Sequence, residues 1–298
     1  MNSNIYAVIV TYNPELKNLN ALITELKEQN CYVVVVDNRT NFTLKDKLAD
    51  IEKVHLICLG RNEGIAKAQN IGIRYSLEKG AEKIIFFDQD SRIRNEFIKK
   101  LSCYMDNENA KIAGPVFIDR DKSHYYPICN IKKNGLREKI HVTEGQTPFK
   151  SSVTISSGTM VSKEVFEIVG MMDEELFIDY VDTEWCLRCL NYGILVHIIP
   201  DIEMVHAIGD KSVKICGINI PIHSPVRRYY RVRNAFLLLR KNHVPLLLSI
   251  REVVFSLIHT TLIIATQKNK IEYMKKHILA TLDGIRGITG GGRYNAWF

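Results

Sequence analysis

Residues 5–14, IYAVIVTYNP, decide how the rest of the chain is read. Residues 5–10 are apolar without a break, the pattern of a parallel strand buried on both faces. The run ends in Thr11, Tyr12, Asn13 and Pro14, where polar groups meet turn chemistry. Residues 16–29 place apolar side chains at 16, 19, 22, 23 and 26, which is helical spacing. A second strand over 32–36 ends at Asp37 and Asn38. A helix-like stretch at 44–51, a strand at 54–59, a helix at 65–77 and a strand at 83–87 ending at Asp88 follow. Strand and helix in alternation predict an α/β architecture with a mostly parallel sheet. Ligands bind such sheets at the carboxyl ends of the strands, so the loops after residues 10, 36 and 87 are expected in one place.

Farther along, 91–105 is expected to be helical, 153–161 a strand, 163–169 a short helix, 183–191 a helix stopped by Gly193, and 195–199 a strand before Pro200. Residues 115–150, with Pro115, Pro127, Gly135, Gly145 and Pro148, read as irregular: a variable insertion or a loop near an acceptor site. There is no internal repeat and no low-complexity tract.

With 298 residues, 46% hydrophobic and 24% charged, the chain has room for one large domain, or one domain with an appendage, and is not a disordered protein. The opening MNSNIYAVIV lacks the basic segment and cleavage site of a signal peptide and reads as a first strand. An odd count of seven cysteines then predicts free thiols in a reducing, cytoplasmic setting. Cys186 and Cys189 form a C-x-x-C with no second pair at zinc spacing, and are expected to be helix-packing residues. The net charge of +7 is unevenly spread: residues 1–210 carry 25 Lys and Arg against 30 Asp and Glu, whereas 211–298 carry 15 against 3. A basic block suits an anionic partner: nucleic acid, a membrane or a phosphorylated lipid. Residues 227–241, RRYYRVRNAFLLLRK, are basic, aromatic and helically spaced. Residues 244–266 are mostly apolar but broken by Arg251, Glu252 and His259, and lysines 268, 270, 275 and 276 follow. This pattern predicts amphipathic helices on a membrane surface rather than a span, which needs about 20 apolar residues. A helical cap on the domain or a homodimer interface is the plainer alternative.

Five groups of residues carry chemistry. In FFDQDS (86–91), Asp88 and Asp90 flank Gln89 just past a strand, and carboxylates there suit Mg²⁺ or Mn²⁺ completed by substrate phosphates. The plainer role is a turn in which Asp90 or Ser91 caps the next helix. FIDYVDTEWCLR (177–188) crowds Asp179, Asp182 and Glu184 beside Trp185. An acceptor hydroxyl needs such a carboxylate as base, though acids also favour a helix N-terminus. Thr11, Tyr12 and Asn13, with Asp37, offer groups for a base or ribose. GRNEGIAKAQNIGI (60–73) leads from Asn62 and Gly64 into a helix whose N-terminus attracts phosphate, without a dinucleotide fingerprint or a Walker lysine. His206 follows the last strand, where a neutral imidazole could reach the same metal as Asp90.

Taken in order, VIVTYNP, VDN, GRNEGIAKAQNIG, FFDQDS, SSG (156–158), DYVDTEWCLR and HAIG resemble glycosyltransferase family 2 of the GT-A fold over about residues 4–240. FDQDS with FIDYVDTEWCLR, YYRVRN (229–234) and GIRGITGG is most similar to the bacterial branch that uses dTDP-L-rhamnose. The resemblance implies a GT-A catalytic domain over 1–210 and a basic, helical, membrane-associating segment over 211–298. It implies that Thr11, Tyr12, Asn13, Asp37, Asn62, Gly64, Gln69, Asp88 and Gln89 hold the donor, and that Asp90, Asp88 and His206 hold Mg²⁺ or Mn²⁺. Asp182 is the implied base of an inverting single displacement. The family's Glu-Asp pair is Val181-Asp182 here, with Asp179 or Glu184 to compensate. The implied acceptor is a polyprenyl-diphosphate-linked saccharide at the inner leaflet. A nucleotidylyltransferase would show an N-terminal Gly-rich loop with a basic residue, which VIVTYNP lacks. Nucleic-acid binding through Tyr229, Tyr230 and Phe236 leaves the acids at 179–184 unexplained. No nucleic-acid partner is therefore expected.

Overall fold

The computed structural model describes residues 4–40, 44–48, 51–119, 124–205, 212–215, 218–221, 223–267 and 269–294. The first half follows the expected alternation: β1 (Ile5–Thr11), α1 (Leu16–Glu28), β2 (Tyr32–Asp37), α2 (Lys45–Leu48), β3 (Val54–Cys58), α3 (Ile65–Glu78) and β4 (Lys83–Asp88). β1, β2, β3 and β4 are mutually parallel, in the order β3-β2-β1-β4. The chain winds one way from β1 to β3 and then crosses back to β4, which makes the β1–β4 seam a switch point where a crevice opens. Val8, Ile9, Val35, Val36, Ile84 and Ile85 are buried, as a sheet covered on both faces requires. α3 packs so closely that a Cβ on Gly72 would stand 2.4 Å from a Val8 methyl, which explains a glycine inside a helix.

The later part departs from the expectation. α4 spans Phe97–Asn107 and not 91–105, because Gln29 reaches across to accept from the Ile98 amide at 3.0 Å and so sets where the helix begins. The stretch read as irregular contains β5 (Ile112–Ile118), β6 (Ile128–Ile131), β7 (Arg137–Ile140) and β8 (Phe149–Ser151). β5 tolerates Pro115 because its ladder to β9 (Met160–Ser162) stops at Ala113. The expected strand over 153–161 is ordered as β9 only at its end, and the residues before it form a loop. α5 (Lys163–Val169) and α6 (Val181–Asn191) follow. β10 runs Val196–Val205, past the expected stop at Pro200, because a bulge between Ile199 and Glu203 absorbs the proline. The main sheet is completed in the order β4-β9-β5-β10-β8. β6 and β7 form a hairpin, as do β11 (Ser212–Ile215) and β12 (Ile218–Pro221).

Three helices close the chain: α7 (Pro225–Leu238), α8 (Leu246–Thr266) and α9 (Lys270–Arg286). Ser224 caps α7, its Oγ accepting from the Arg227 amide at 3.2 Å ahead of a first-turn proline. The charge of this segment is not all displayed to solvent. Arg228 and Arg233 are 1% and 0% exposed, and Arg233 spends its guanidinium on the carbonyls of Leu176 and Gly290. Cys186 and Cys189 are buried free thiols in α6.

Candidate active site

The carboxyl ends of β1 and β4 and the start of α3 surround a cleft of about 380 Å³. Thr11, Tyr12, Asn62, Gly64, Asp88 and Gln89, all expected here, line it. Each is held from behind. Thr11 Oγ1 donates to the buried Asp37 at 3.2 Å, so Asp37 lies beneath the cleft and fixes its floor. Gln89 clasps the Tyr12 backbone: its Oε1 accepts from Tyr12 N at 2.8 Å and its Nε2 donates to Tyr12 O at 3.3 Å. Asn38 donates to Asn62 Oδ1 at 2.9 Å and accepts from the Glu63 amide at 2.7 Å, while Asn62 Oδ1 also accepts from the Gly64 amide. The loop before α3 is thereby tied to the end of β2. Asn13 (φ 48°) occupies the exposed turn after β1, outside the residues lining the cleft.

The opposite wall was not foreseen. Phe177, Ile178, Val226, Arg227 and Tyr230 bring the 177–180 loop and α7 against the cleft, with Phe177 and Tyr230 stacked at 4.6 Å. Gly64 is the point of closest approach: with φ +86°, a Cβ there would lie 2.6 Å from the Phe177 ring, and the Ile65 amide donates to Phe177 O at 2.8 Å. Phe177, Asp179 and Tyr180 all adopt positive φ, which non-glycine residues avoid unless the surroundings impose it. Asn234 imposes it here, donating to the carbonyls of Leu176, Ile178 and Asp179 at 2.8, 2.8 and 3.1 Å. Only Arg227 and Tyr230 being spaced helically hinted at this wall; nothing local in the sequence pairs them with residue 64.

Asp88 ends β4 and Asp90 follows in the turn that the Ser91 amide closes onto Asp88 O at 3.1 Å; both carboxylates are exposed. Neither Asp90 nor Ser91 caps a helix, since α4 begins only at Phe97. Among the described residues no three His, Cys, Asp or Glu side chains form a metal cage. Asp88 and Asp90 nevertheless fit the way Mg²⁺ is commonly held, by one or two carboxylates with substrate phosphates completing the shell. His206 lies outside the described residues.

Asp182 sits in the first turn of α6. Burial above all, and then the nearby Asp88 carboxylate, push it up to about 6, while hydrogen bonds from Ser156 hold it back. Ser156 in turn accepts from Gln69 Nε2 at 3.0 Å. Gln69 is buried, so it acts behind Ser156 and does not line the cleft. Ser157 completes the loop: its Oγ accepts from the Asp88 amide at 3.1 Å and shares a hydrogen bond with Ser91. Thus the loop read as part of a strand tethers Asp88 and Asp182 together.

The neighbouring acids are committed elsewhere. Glu184 is 1% exposed, bonded to Arg188 through both oxygens at 3.0 Å and 2.7 Å from His243 Nε2. Burial opposes its ionisation, but His243 and Arg188 outweigh that and hold it below the usual carboxylate range. Asp179 lies 3.4 Å from Arg227 and 3.6 Å from Arg231. Trp185 is core, stacked on Phe166 with its Nε1 donating to Gly170 O at 2.9 Å.

The low-salt glycan biosynthesis hexosyltransferase Agl10 of Haloferax volcanii is 26% identical over 316 aligned residues, 97% of this chain and 94% of that protein. S. aureus TarS 1-349 in complex with UDP-GlcNAc superimposes with a TM-score of 0.57 at 15% identity, over 96% of this chain and 81% of that one. GalNAc-T7 with UDP, GalNAc and Mn²⁺ gives 0.58 at 16%, over 90% of this chain; the chain spans 58% of the GalNAc-T7 chain. At such identities the likeness establishes the fold, which is GT-A: a mostly parallel sheet flanked by helices. The sequence profile described as glycosyl transferase family 2 matches residues 6–169. That match runs from β1 to the end of α5, over more than half of its length, and the chain therefore belongs to glycosyl transferase family 2.

Proposed function

We propose that the protein is an inverting transferase that moves L-rhamnose from dTDP-L-rhamnose onto a hydroxyl of a lipid-linked saccharide, in the synthesis of cell-surface polysaccharide. One observation carries the reading. A carboxylate at the mouth of the cleft, Asp88, stands close to a second, Asp182, whose proton affinity is raised towards neutrality. A base of that strength is matched to an alcohol at physiological pH.

In this reading the nucleotide occupies the cleft between Tyr12 and the Phe177–Tyr230 wall, and Arg227 faces its diphosphate. Asp182 takes the proton of the acceptor hydroxyl as that oxygen bonds to the anomeric carbon. The bond from that carbon to the diphosphate oxygen breaks on the opposite face, and the nucleoside diphosphate leaves with the electron pair. A β-linked donor so yields an α-linked product. Asp88 and Asp90 would hold Mg²⁺ or Mn²⁺, with His206 as a further ligand, and the ion supplies Lewis-acid neutralisation of the leaving charge. The chain itself contributes alignment and pre-set dipoles.

The donor base and sugar rest on the motif resemblance. A UDP-hexose is the second reading, favoured by solved structures of the same fold that contain UDP and UDP-GlcNAc. Thermal stabilisation by a donor panel with Mn²⁺ separates them: dTDP and dTDP-rhamnose are expected to raise Tm most. Largest stabilisation by a UDP-hexose would exclude rhamnose as the donor. Slow donor hydrolysis should require the metal and disappear in Asp90→Ala.

The enzyme is also proposed to sit peripherally on the cytoplasmic face of the membrane. α8 has a mean hydropathy of 1.7 and 21 residues, enough by length and composition to cross a bilayer. Its Ser249, Glu252, Ser256 and Thr260 are buried against the protein, while Leu246, Ile250, Val254, Leu257 and Ile258 are about half exposed. Such a helix suits lying in the interface, with the exposed Lys270 and Lys275 of α9 towards anionic headgroups. Val254→Glu with Ile258→Glu should abolish co-sedimentation with phosphatidylglycerol vesicles. A dimer that dissociates in this variant, with no vesicle binding by the unaltered chain, would assign the face to self-association.

A further inference from the structure

We infer that a second, basic cavity behind the cleft seats the phosphate of the lipid-linked acceptor, an inference that rests on the transferase reading and names how its acceptor is held. The cavity, of about 220 Å³, lies where the start of α6 meets β7, α7 and α8. Arg137, Arg228, Arg231 and Arg251 line it, and Glu252 is the carboxylate among the described residues lining it.

Among the described residues the charges do not balance. Arg137 and Arg251 both lie on the same oxygen, Glu252 Oε1, at 3.1 and 2.6 Å, while Tyr180 donates to Oε2 at 2.8 Å. Arg231 lies 3.6 Å from Asp179, which also serves Arg227. Arg228 is 1% exposed and, among the described residues, donates to neutral acceptors, Ser256 O at 2.5 Å and Thr260 Oγ1 at 3.2 Å. Gathering four guanidinium groups in one cavity, with Arg228 away from water and too few matching anions among the described residues, is costly. A bound phosphate, which accepts several charge-assisted hydrogen bonds at once, supplies the missing charge. The field is felt locally: burial, then Arg228, Arg231 and His223, push the lining His259 down to about 4, so it stays neutral.

The position ties this cavity to both the donor and a lipid. Consecutive residues of α7 divide the work: Arg227 lines the cleft and Arg228 the basic cavity, with Asp179 bonded towards both through Arg227 and Arg231. A sugar carried on a phosphate seated here extends past Tyr180 towards Asp182 in the first turn of α6. On the other side Phe255 lines the cavity, lies 4.2 Å below the Arg251 guanidinium and is 50% exposed, beside the apolar face of α8. An apolar chain leaving the phosphate would run along that face.

Calorimetric titration of the full-length chain, with dTDP or UDP saturating the cleft, tests this with decyl phosphate at submicellar concentration and with inorganic phosphate. Decyl phosphate is expected to bind one site at least about ten-fold more tightly than inorganic phosphate. Arg137→Gln with Arg251→Gln should weaken it at least about ten-fold, and Glu252→Gln, which removes a competing carboxylate, should tighten it. Glu252→Gln keeps the test decisive if the double variant does not melt cooperatively. Loss of binding on nucleotide saturation, indifference to these substitutions, or equal affinity for the two probes would overturn the assignment. Because the titration reads binding alone, failure to turn over any sugar nucleotide would count against the transferase reading and leave this result standing.

Discussion

Asp182, in the first turn of α6, lies within electrostatic range of Asp88, at the end of β4, and the two are held by consecutive serines. Ser156 bonds the Asp182 carboxylate, whereas Ser157 takes the Asp88 amide. Burial first, and the charge of Asp88 second, raise Asp182 to about 6. A carboxyl group so placed changes state within a pH range that enzymes use.

The rate of transfer should therefore fall as pH drops through about 6, since a protonated Asp182 cannot accept the hydroxyl proton. Ser156→Ala removes hydrogen bonds that favour the ionised form and should move this limb to higher pH. A kcat profile whose acid limb does not move in Ser156→Ala would count against Asp182 as the base.

Asp182→Asn should reduce transfer by about 10²- to 10⁴-fold and yet stabilise the fold at neutral pH. The sign follows from linkage. The folded-state value lies above the ordinary 3.8, so the protonated group favours folding below about 4, and that contribution is lost as pH rises through about 6. At pH 7.5 the ionised side chain costs at most about 3 kcal/mol, which asparagine spares. Melting curves at pH 7.5 and pH 4 should show a gain at the first and none at the second.

Gly64→Ala should loosen the cleft. The new Cβ would meet the Phe177 ring at 2.6 Å and its carbonyl oxygen at 2.7 Å, in a backbone at φ +86° that alanine disfavours. A loss of about 1–3 kcal/mol is expected from such overpacking and strain. Since Gly64 and Phe177 both line the cleft, nucleotide affinity should fall together with Tm. Equal affinity and stability in the variant would mean that the two loops are not clamped together.

Asn234→Leu, close in volume, should cost about 2–4 kcal/mol, because the Ile178 and Asp179 carbonyls lose the Asn234 donor in a buried setting, while Leu176 O keeps Arg233 and the Ile178 amide. Urea midpoints read the loss. Faster amide hydrogen exchange confined to residues 176–180 would identify the positive-φ loop as its seat.

The strand ends that build the floor were legible early. An unbroken apolar run followed by turn chemistry is a property of neighbouring residues, and 5–11, 32–37 and 83–88 all have it. Thr11, Tyr12, Asn62, Gly64, Asp88 and Gln89 consequently meet where the strand-end rule puts them. The same local signals misled around Pro115 and Pro200. Each proline reads as a breaker, yet Pro115 stands past the end of the β5–β9 ladder while still opposite Ile199 of β10, and Pro200 lies inside a bulge, and both strands continue.

Order along the chain was enough for the parallel half of the sheet, because hydrophobic period and turn residues act over a few positions. Which arginines are buried, and which acids are spent on salt bridges, it left open: Arg228 and Arg227 are neighbours with opposite fates, as are Asp182 and Glu184. Those outcomes depend on groups distant in sequence arriving together. Asn234 bends the 177–180 loop, Phe177 closes on Gly64, and Ser156 reaches Asp182 only once α6, α7 and the sheet have packed. Burial and Coulomb forces between such groups exist only after the chain closes on itself, so they leave no periodic trace in the sequence.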